Sequence, residues 1–308
     1  MREKELTHKG PARGQYVLAF ILGLFTLFCF LPVLLVVIVS FSSEASVAAK
    51  GFSFFPTEWS TKAYDYVLKF GRQLLVSYGV TTFVAVFGTL LSLWLTSMFA
   101  YSLSRKNFNW RNGLSVYLLI TMLFSGGTLG GYLINTNVFH LKNTLWVLIL
   151  PGCITTMNVI VMRTFINTNV PDSLVEAAKI DGASDYRLFF VIIVPIMAPV
   201  LAALGFMTAI GHWNQWMTSY LYITKSELTT LQHMLMKIEK NLDFLKEQLA
   251  QGQLSPEQIE EFKNAPSETA RMAMLFCTLG PVLVVYPFFQ RFFQRFFIKG
   301  MTVGAVKG

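Results

Sequence analysis

Residues 171–195 read PDSLVEAAKIDGASDYRLFFVIIVP, a short polar helix, a turn and the start of an apolar helix. Pro171 sets φ for a helix start, and Asp172 or Ser173 can accept hydrogen bonds from the orphan N–H groups of the first turn. Leu174, Ala177 and Ala178 recur at i, i+3 and i+4, which predicts one narrow apolar face. Gly182 stands where a helix end calls for a left-handed residue. Ser184 can cap a second helix, which continues into FFVIIV before Pro195 and Pro199 disturb it.

Both flanks of this polar hairpin are apolar. Of 308 residues, 54% are hydrophobic and only 14% charged, against about a quarter in an ordinary soluble domain. Mean hydropathy is +0.51. The charges are expelled from blocks at about 16–41, 74–103, 113–134, 143–162, 188–211 and 272–290. Each can supply the roughly 20 residues a helix needs to cross a bilayer, and none alternates as a barrel strand would. The first block is too long for a signal-peptide core. Six membrane helices are expected. A short helix near 61–70 lies between the first two.

Lys and Arg set the orientation. With the N-terminus inside, segments 1–15, 104–112, 163–187 and 291–308 hold 14 of the 25 basic residues and six acids. All of the +8 net charge then falls on the inner side. The basicity therefore reads as topology and not as affinity for nucleic acid, and residues 171–187 are cytoplasmic.

Gly211-His212-Trp213-Asn214-Gln215-Trp216 ends the fifth block. Amides and a histidine at the end of a span are costly unless they face protein or water. Rings beside amides suit a sugar, whose apolar faces stack while its hydroxyls bond to amides. His212, Trp213, Asn214 and Trp216 are accordingly candidates for a substrate pathway, with an interfacial aromatic belt as the competing reading. Residues 223–268 predict a helical hairpin on the outer side, its first helix over 228–251 and a second starting at Ser255. The tail after Gln290 repeats a basic–aromatic dyad suited to the inner membrane surface.

Several chemistries have no residues to perform them. No phosphate-binding G-x-x-x-x-G-K-[ST] loop occurs. The four histidines and three cysteines lack metal-ligand spacing. Gly126, Gly127, Gly130 and Gly131 suggest close helix packing rather than a dinucleotide loop. No nucleophile–base pair stands out, so the chain is not expected to be an enzyme or to bind a cofactor or metal.

Glu176-Ala177-Ala178, three residues, Gly182, nine residues and Ile192-x-Val194-Pro195 resemble the EAA loop of membrane subunits of bacterial ATP-binding-cassette (ABC) importers. Val194 replaces that pattern's leucine. Trp213–Trp216 is similar to a segment of the carbohydrate branch, and Lys299–Gly308 to its KG-x-T-x-GAVKG terminus. The resemblance implies an all-α, polytopic fold with six transmembrane helices, type I importer-like. It implies a permease for an oligosaccharide in the bacterial cytoplasmic membrane, with both termini cytoplasmic. It further implies a tail at 1–15, a membrane domain at 16–290 and a tail at 291–308, with Glu176, Ala177, Ala178, Asp181 and Gly182 coupling to an ATPase. The partners it implies are a second homologous permease, a dimeric cytoplasmic ATPase that carries ATP and Mg, and an extracytoplasmic substrate-binding protein. A non-sugar importer, for example of oligopeptides, is the alternative. A secondary transporter is the more distant one, lacking the inverted repeats or acidic spans expected of it.

Overall fold

The computed structural model describes residues 13–251 and 267–304. The basic residues Arg2, Lys4 and Lys9, the helix expected from Ser255, and the last four residues lie outside them. Among the described residues the chain is helical, and its only β-type pairing is a single bridge between Ser42 and Trp59.

Helix α1 spans Arg13–Ser40, α2 Glu44–Lys50, α3 Lys62–Leu68 and α4 Gly71–Ser104. Helix α5 spans Arg111–Leu123, and α6 spans Gly127–Leu133 before passing into a π turn, Ile134–Val138. Then come α7 (Thr156–Asn169), α8 (Asp172–Ile180) and α9 (Asp185–Arg187), the last extended by a π stretch, Leu188–Ile193. Short α10 (Val194–Ile196) precedes α11 (Ala198–Trp213) and α12 (Met217–Tyr222). Helices α13 (Leu231–Ala250) and α14 (Glu268–Gly304) complete the set.

Three stretches, Gly14–Ser40, Gly71–Ser104 and Glu268–Pro287, are unbroken and apolar enough to cross a membrane. At 34 residues, α4 is about 51 Å long and exceeds the bilayer core. The other expected spans are bent pairs: 117° between α5 and α6, 53° on entry to α7, and 76° between Ile196 and Ala198. Six spans result only if each pair counts as one. The breaks have local causes. Gly127, at φ +73°, turns the chain in a way that strains an L side chain. Pro151 interrupts the second pair, and Pro195 and Pro199 flank the third break. The close packing expected of Gly126, Gly127, Gly130 and Gly131 is not seen, since a Cβ on any of them would meet nothing within 4 Å.

Two compact units divide the chain, Met1–Lys69 with Leu242–Cys277, and Phe70–Asn241 with Thr278–Gly308. In the first, Val39, Val47, Ala63, Val67, Ala270, Ala273 and Met274 are buried. Glu44, the first residue of α2, caps α14. Its carboxylate accepts from the Ser267 hydroxyl (2.8 Å), Glu268 N (3.0 Å), Thr269 N (3.1 Å) and the Thr269 hydroxyl (2.9 Å). Helix α14 begins four residues before the expected 272, so Glu268 and Arg271 enter it. Arg271 pairs with Asp243 and Glu268, and Lys246 lies 2.7 Å from Glu268.

In the second unit α4 is the central strut. Its buried face carries Ser77, Thr81, Gly88, Ser92, Thr96 and Ala100. These small side chains let other helices approach closely. A Cβ on Gly88 would sit 2.9 Å from His212 Nε2, and one on Gly205 would sit 3.0 Å from Leu93 Cδ1. One core cluster gathers Leu103, Val159, Met162, Ile166, Leu188 and Ile193; Val175 and Ala178 of the polar helix join it.

Candidate functional site

Helix α8 starts one residue later than the proline placement predicts. Pro171 is the N-cap, not the first helical residue, and no side chain caps it. Asp172 is instead taken by Lys106, whose Nζ donates to Oδ2 at 2.6 Å between two exposed side chains. That hydrogen bond and charge hold the Asp172 carboxyl below its ordinary value.

The helix ends as its sequence demands. Gly182 has φ +77°, its N–H donates to Lys179 O (3.0 Å), and Ala183 N–H donates to Ala178 O (2.9 Å). These paired bonds satisfy two carbonyls that the helix end leaves open. Ser184 Oγ then accepts from Arg187 N at 3.3 Å and caps α9.

The buried face differs from the expected one. Val175 and Ala178 face the core, while Leu174 and Ala177 are exposed. Helix α8 rolls because its anchor is one pair at i, i+3, leaving the other apolar positions outward. Ile180 is 85% exposed, Tyr186 74% and Leu174 38%. Glu176 and Asp181 are exposed beside them and form no ion pair among the described residues. Outward apolar side chains rimmed by acids are the composition of a protein-contact surface.

A second site lies at the far end of α11. Thr155, Asn158, Thr208, His212, Asn214 and Trp216 line a cavity of about 610 Å³ together with Leu148, Met207 and Gln215. That volume falls within the range of small-molecule sites. His212 is buried and its Nδ1 lies 3.3 Å from Gln215 Oε1. The structure therefore brings together three of the four pathway candidates and separates the fourth. Trp213 points the other way, into an apolar cleft of about 360 Å³ with Phe206, Pro281 and Tyr286. Its Nε1 donates to Thr278 O at 3.1 Å. Helical geometry separates Trp213 from His212, since consecutive helical residues project about 100° apart, while Asn214 and Trp216 lie beyond the end of α11. Thr155, Asn158 and Thr208 carried no sequence signal, being single polar residues in apolar blocks.

The chain around Asn143 and Thr224 is stapled. Asn143, at φ +59°, accepts through Oδ1 from Thr224 N (2.7 Å), the Thr224 hydroxyl (3.0 Å) and Lys225 N (3.2 Å).

Long apolar helices, broken spans that enclose a partly polar cavity, and an exposed polar helix between two of them are the architecture of a membrane transport component. The chain belongs to the family of binding-protein-dependent transport system inner membrane components, matching it over residues 12–299. It is similar to the polygalacturonan/rhamnogalacturonan transport system permease protein YtcP of Bacillus subtilis (strain 168), with 36% identity over 286 residues, 92% of this chain and 95% of that protein. It is 35% identical to protein LplC of the same organism over 280 residues, 90% of this chain and 89% of that one. Its fold matches a crystal structure of a bacterial ABC transporter involved in the import of the acidic polysaccharide alginate. There the TM-score is 0.72 at 26% identity, over 92% of this chain and 99% of the other. It is accordingly an ABC permease subunit, and such permeases work with an ATPase and a substrate-binding protein. The relatives do not favour a secondary transporter.

Proposed function

We propose that this chain is one permease of an ATP-driven oligosaccharide importer, coupled to its ATPase through residues 171–187. The observation that carries the coupling is helix α8 itself, anchored by Val175 and Ala178 and offering Leu174, Ile180, Glu176 and Asp181 to a partner. The oligosaccharide reading draws on the names of the YtcP and alginate relatives and on the Trp216–Asn214–Asn158 lining of the cavity.

In this reading ATP and Mg sit on a dimeric cytoplasmic ATPase. Closure of that dimer moves α8, and the core cluster around Leu188 and Ile193 carries the movement into the broken helix α9–α11. Thr208 and His212 on α11 then change their place in the path, an alternating-access step. A second homologous permease completes the path, and an extracytoplasmic binding protein delivers the glycan. Both termini are cytoplasmic, with 16–290 the membrane domain, 1–15 and 291–308 the tails, and 223–268 the outer hairpin.

The test is purification of the tagged chain from its own membranes in mild detergent. An ATPase and a second permease are expected to come with it. Ile180→Glu combined with Leu174→Glu should release the ATPase while leaving the second permease bound. Retention of the ATPase by that variant would refute α8 as its docking element.

A further inference from the structure

Among the described residues, the cavity at the end of α11 has no charged residue on its wall. Hydrogen bonding there falls to Thr155, Asn158, Thr208, Asn214, Gln215 and Thr218, and the Trp216 ring adds an apolar face. The one titratable residue of the lining, His212, aims its Nε2 at Gly88 on α4, where it is buried with no hydrogen-bond partner among the described residues, so a proton there would gain no acceptor. Its other nitrogen faces Gln215. A carboxylate lodged on such a wall would lose water and gain no cation, which is costly, whereas hydroxyls find amide and hydroxyl partners of matching polarity.

We infer that this wall takes the uncharged surface of the glycan, its hydroxyls and ring faces, and seats none of its acid groups. The acid groups of a uronide cargo therefore face the second permease. This rests on the proposed path through the cavity, and it differs from a direct transfer of acidic cargo from the alginate importer.

The sign of a charge placed on the wall tests it. In the importer purified with its partners and reconstituted in proteoliposomes, Cys29, Cys153 and Cys277 are replaced by Ser, and Asn158→Cys or Thr208→Cys is added. Each variant is then labelled after folding with an anionic sulfonatoethyl or a cationic trimethylammonioethyl methanethiosulfonate. Binding-protein-dependent uptake should fall by the same factor with either label, to within about threefold. A seated carboxylate would make the labels differ by more than about tenfold, because a contact ion pair in a poorly solvated site exceeds that factor. Such a difference overturns the inference and leaves the path intact. Complete labelling without any loss of uptake overturns the path and the inference together. Asn158→Asp and Asn158→Lys, compared at equal membrane levels, give the same readout without a reagent.

Discussion

Substitution of Gly182 separates backbone strain from bulk at the end of α8, the proposed coupling helix. Its φ of +77° is a conformation L residues avoid, yet a Cβ there would meet nothing within 4 Å. The cost of a side chain is therefore conformational, roughly 1–2 kcal/mol for an ordinary residue. It is smaller for Asn, which tolerates left-handed backbone, and largest for a β-branched residue. A loss of 1–2 kcal/mol lowers the population of the closed turn by a factor of about 5–30. That turn is held by the two bonds from Gly182 N–H and Ala183 N–H to Lys179 and Ala178. The variants Gly182→Asn, Gly182→Ala and Gly182→Val are compared by ATP-dependent uptake in the reconstituted importer, with thermal unfolding in detergent as the control. Activity should fall in the order Gly, Asn, Ala, Val. Asn is bulkier than Ala, so an Asn variant worse than the Ala variant would show that volume at a partner contact decides and would refute the backbone argument. Wild-type uptake by the Val variant would refute it as well.

Three further perturbations probe the rest of the molecule. Gly88→Ala would drive a Cβ to 2.9 Å from His212 Nε2, against a rigid ring that is 7% exposed; overpacking of this kind costs about 1–3 kcal/mol. Gly205→Ala meets only the movable end of Leu93, so its melting temperature should drop less, and equal drops would contradict the packing. Asn143→Ala removes the acceptor for Thr224 N and Lys225 N and should cost about 1 kcal/mol, while Asn143→Asp keeps that acceptor and most of the stability in a side-by-side melt. For Glu44, burial alone raises the pKa, but the hydrogen bonds from Glu268, Thr269 and Ser267 outweigh it and hold the group below its ordinary value of 4.5. A depressed folded pKa means stability that is present above 4.5 and lost as pH falls through the folded value. Glu44→Gln should therefore flatten the acid limb of a stability–pH curve, and an unchanged acid limb would count against the cap.

The apolar blocks were legible because a bilayer demands uninterrupted runs, and α1, α4 and the Glu268–Pro287 stretch of α14 follow them to within a few residues. The helix over 231–250 was legible from spacing, since its buried members Leu231, Leu235, Ile238 and Leu242 lie one helical turn apart. The bent spans were only half legible. Proline announces a break, as Pro195 and Pro199 do, but the size of the 76° bend at Met197 and the π stretch Leu188–Ile193 are not written in the local pattern. The run around Gly127 was misread for the same reason. Glycine permits close packing and a left-handed turn alike, and only the surrounding structure selects between them.

The two candidate sites differ in legibility because they are built differently. The proposed coupling element is contiguous, so its glycine, its Ser184 cap and its acids stand in one line of sequence. Even there the periodicity gave the wrong face, since Leu174-x-x-Ala177-Ala178 and Val175-x-x-Ala178 are both acceptable helical stripes. The helix settles on Val175 because a core already formed by Leu103, Met162 and Leu188 accepts it. The cavity is assembled from two separated segments, Leu148–Asn158 and Met207–Thr218, and only the His212–Thr218 part of the second is conspicuous. Its aromatic–amide run advertised four residues, and the end of α11 divides them, Trp213 to an apolar cleft and His212, Asn214 and Trp216 to the polar cavity. A sequence shows that a polar group is present within a span; which side of the helix it serves is set by the neighbours that leave one face open.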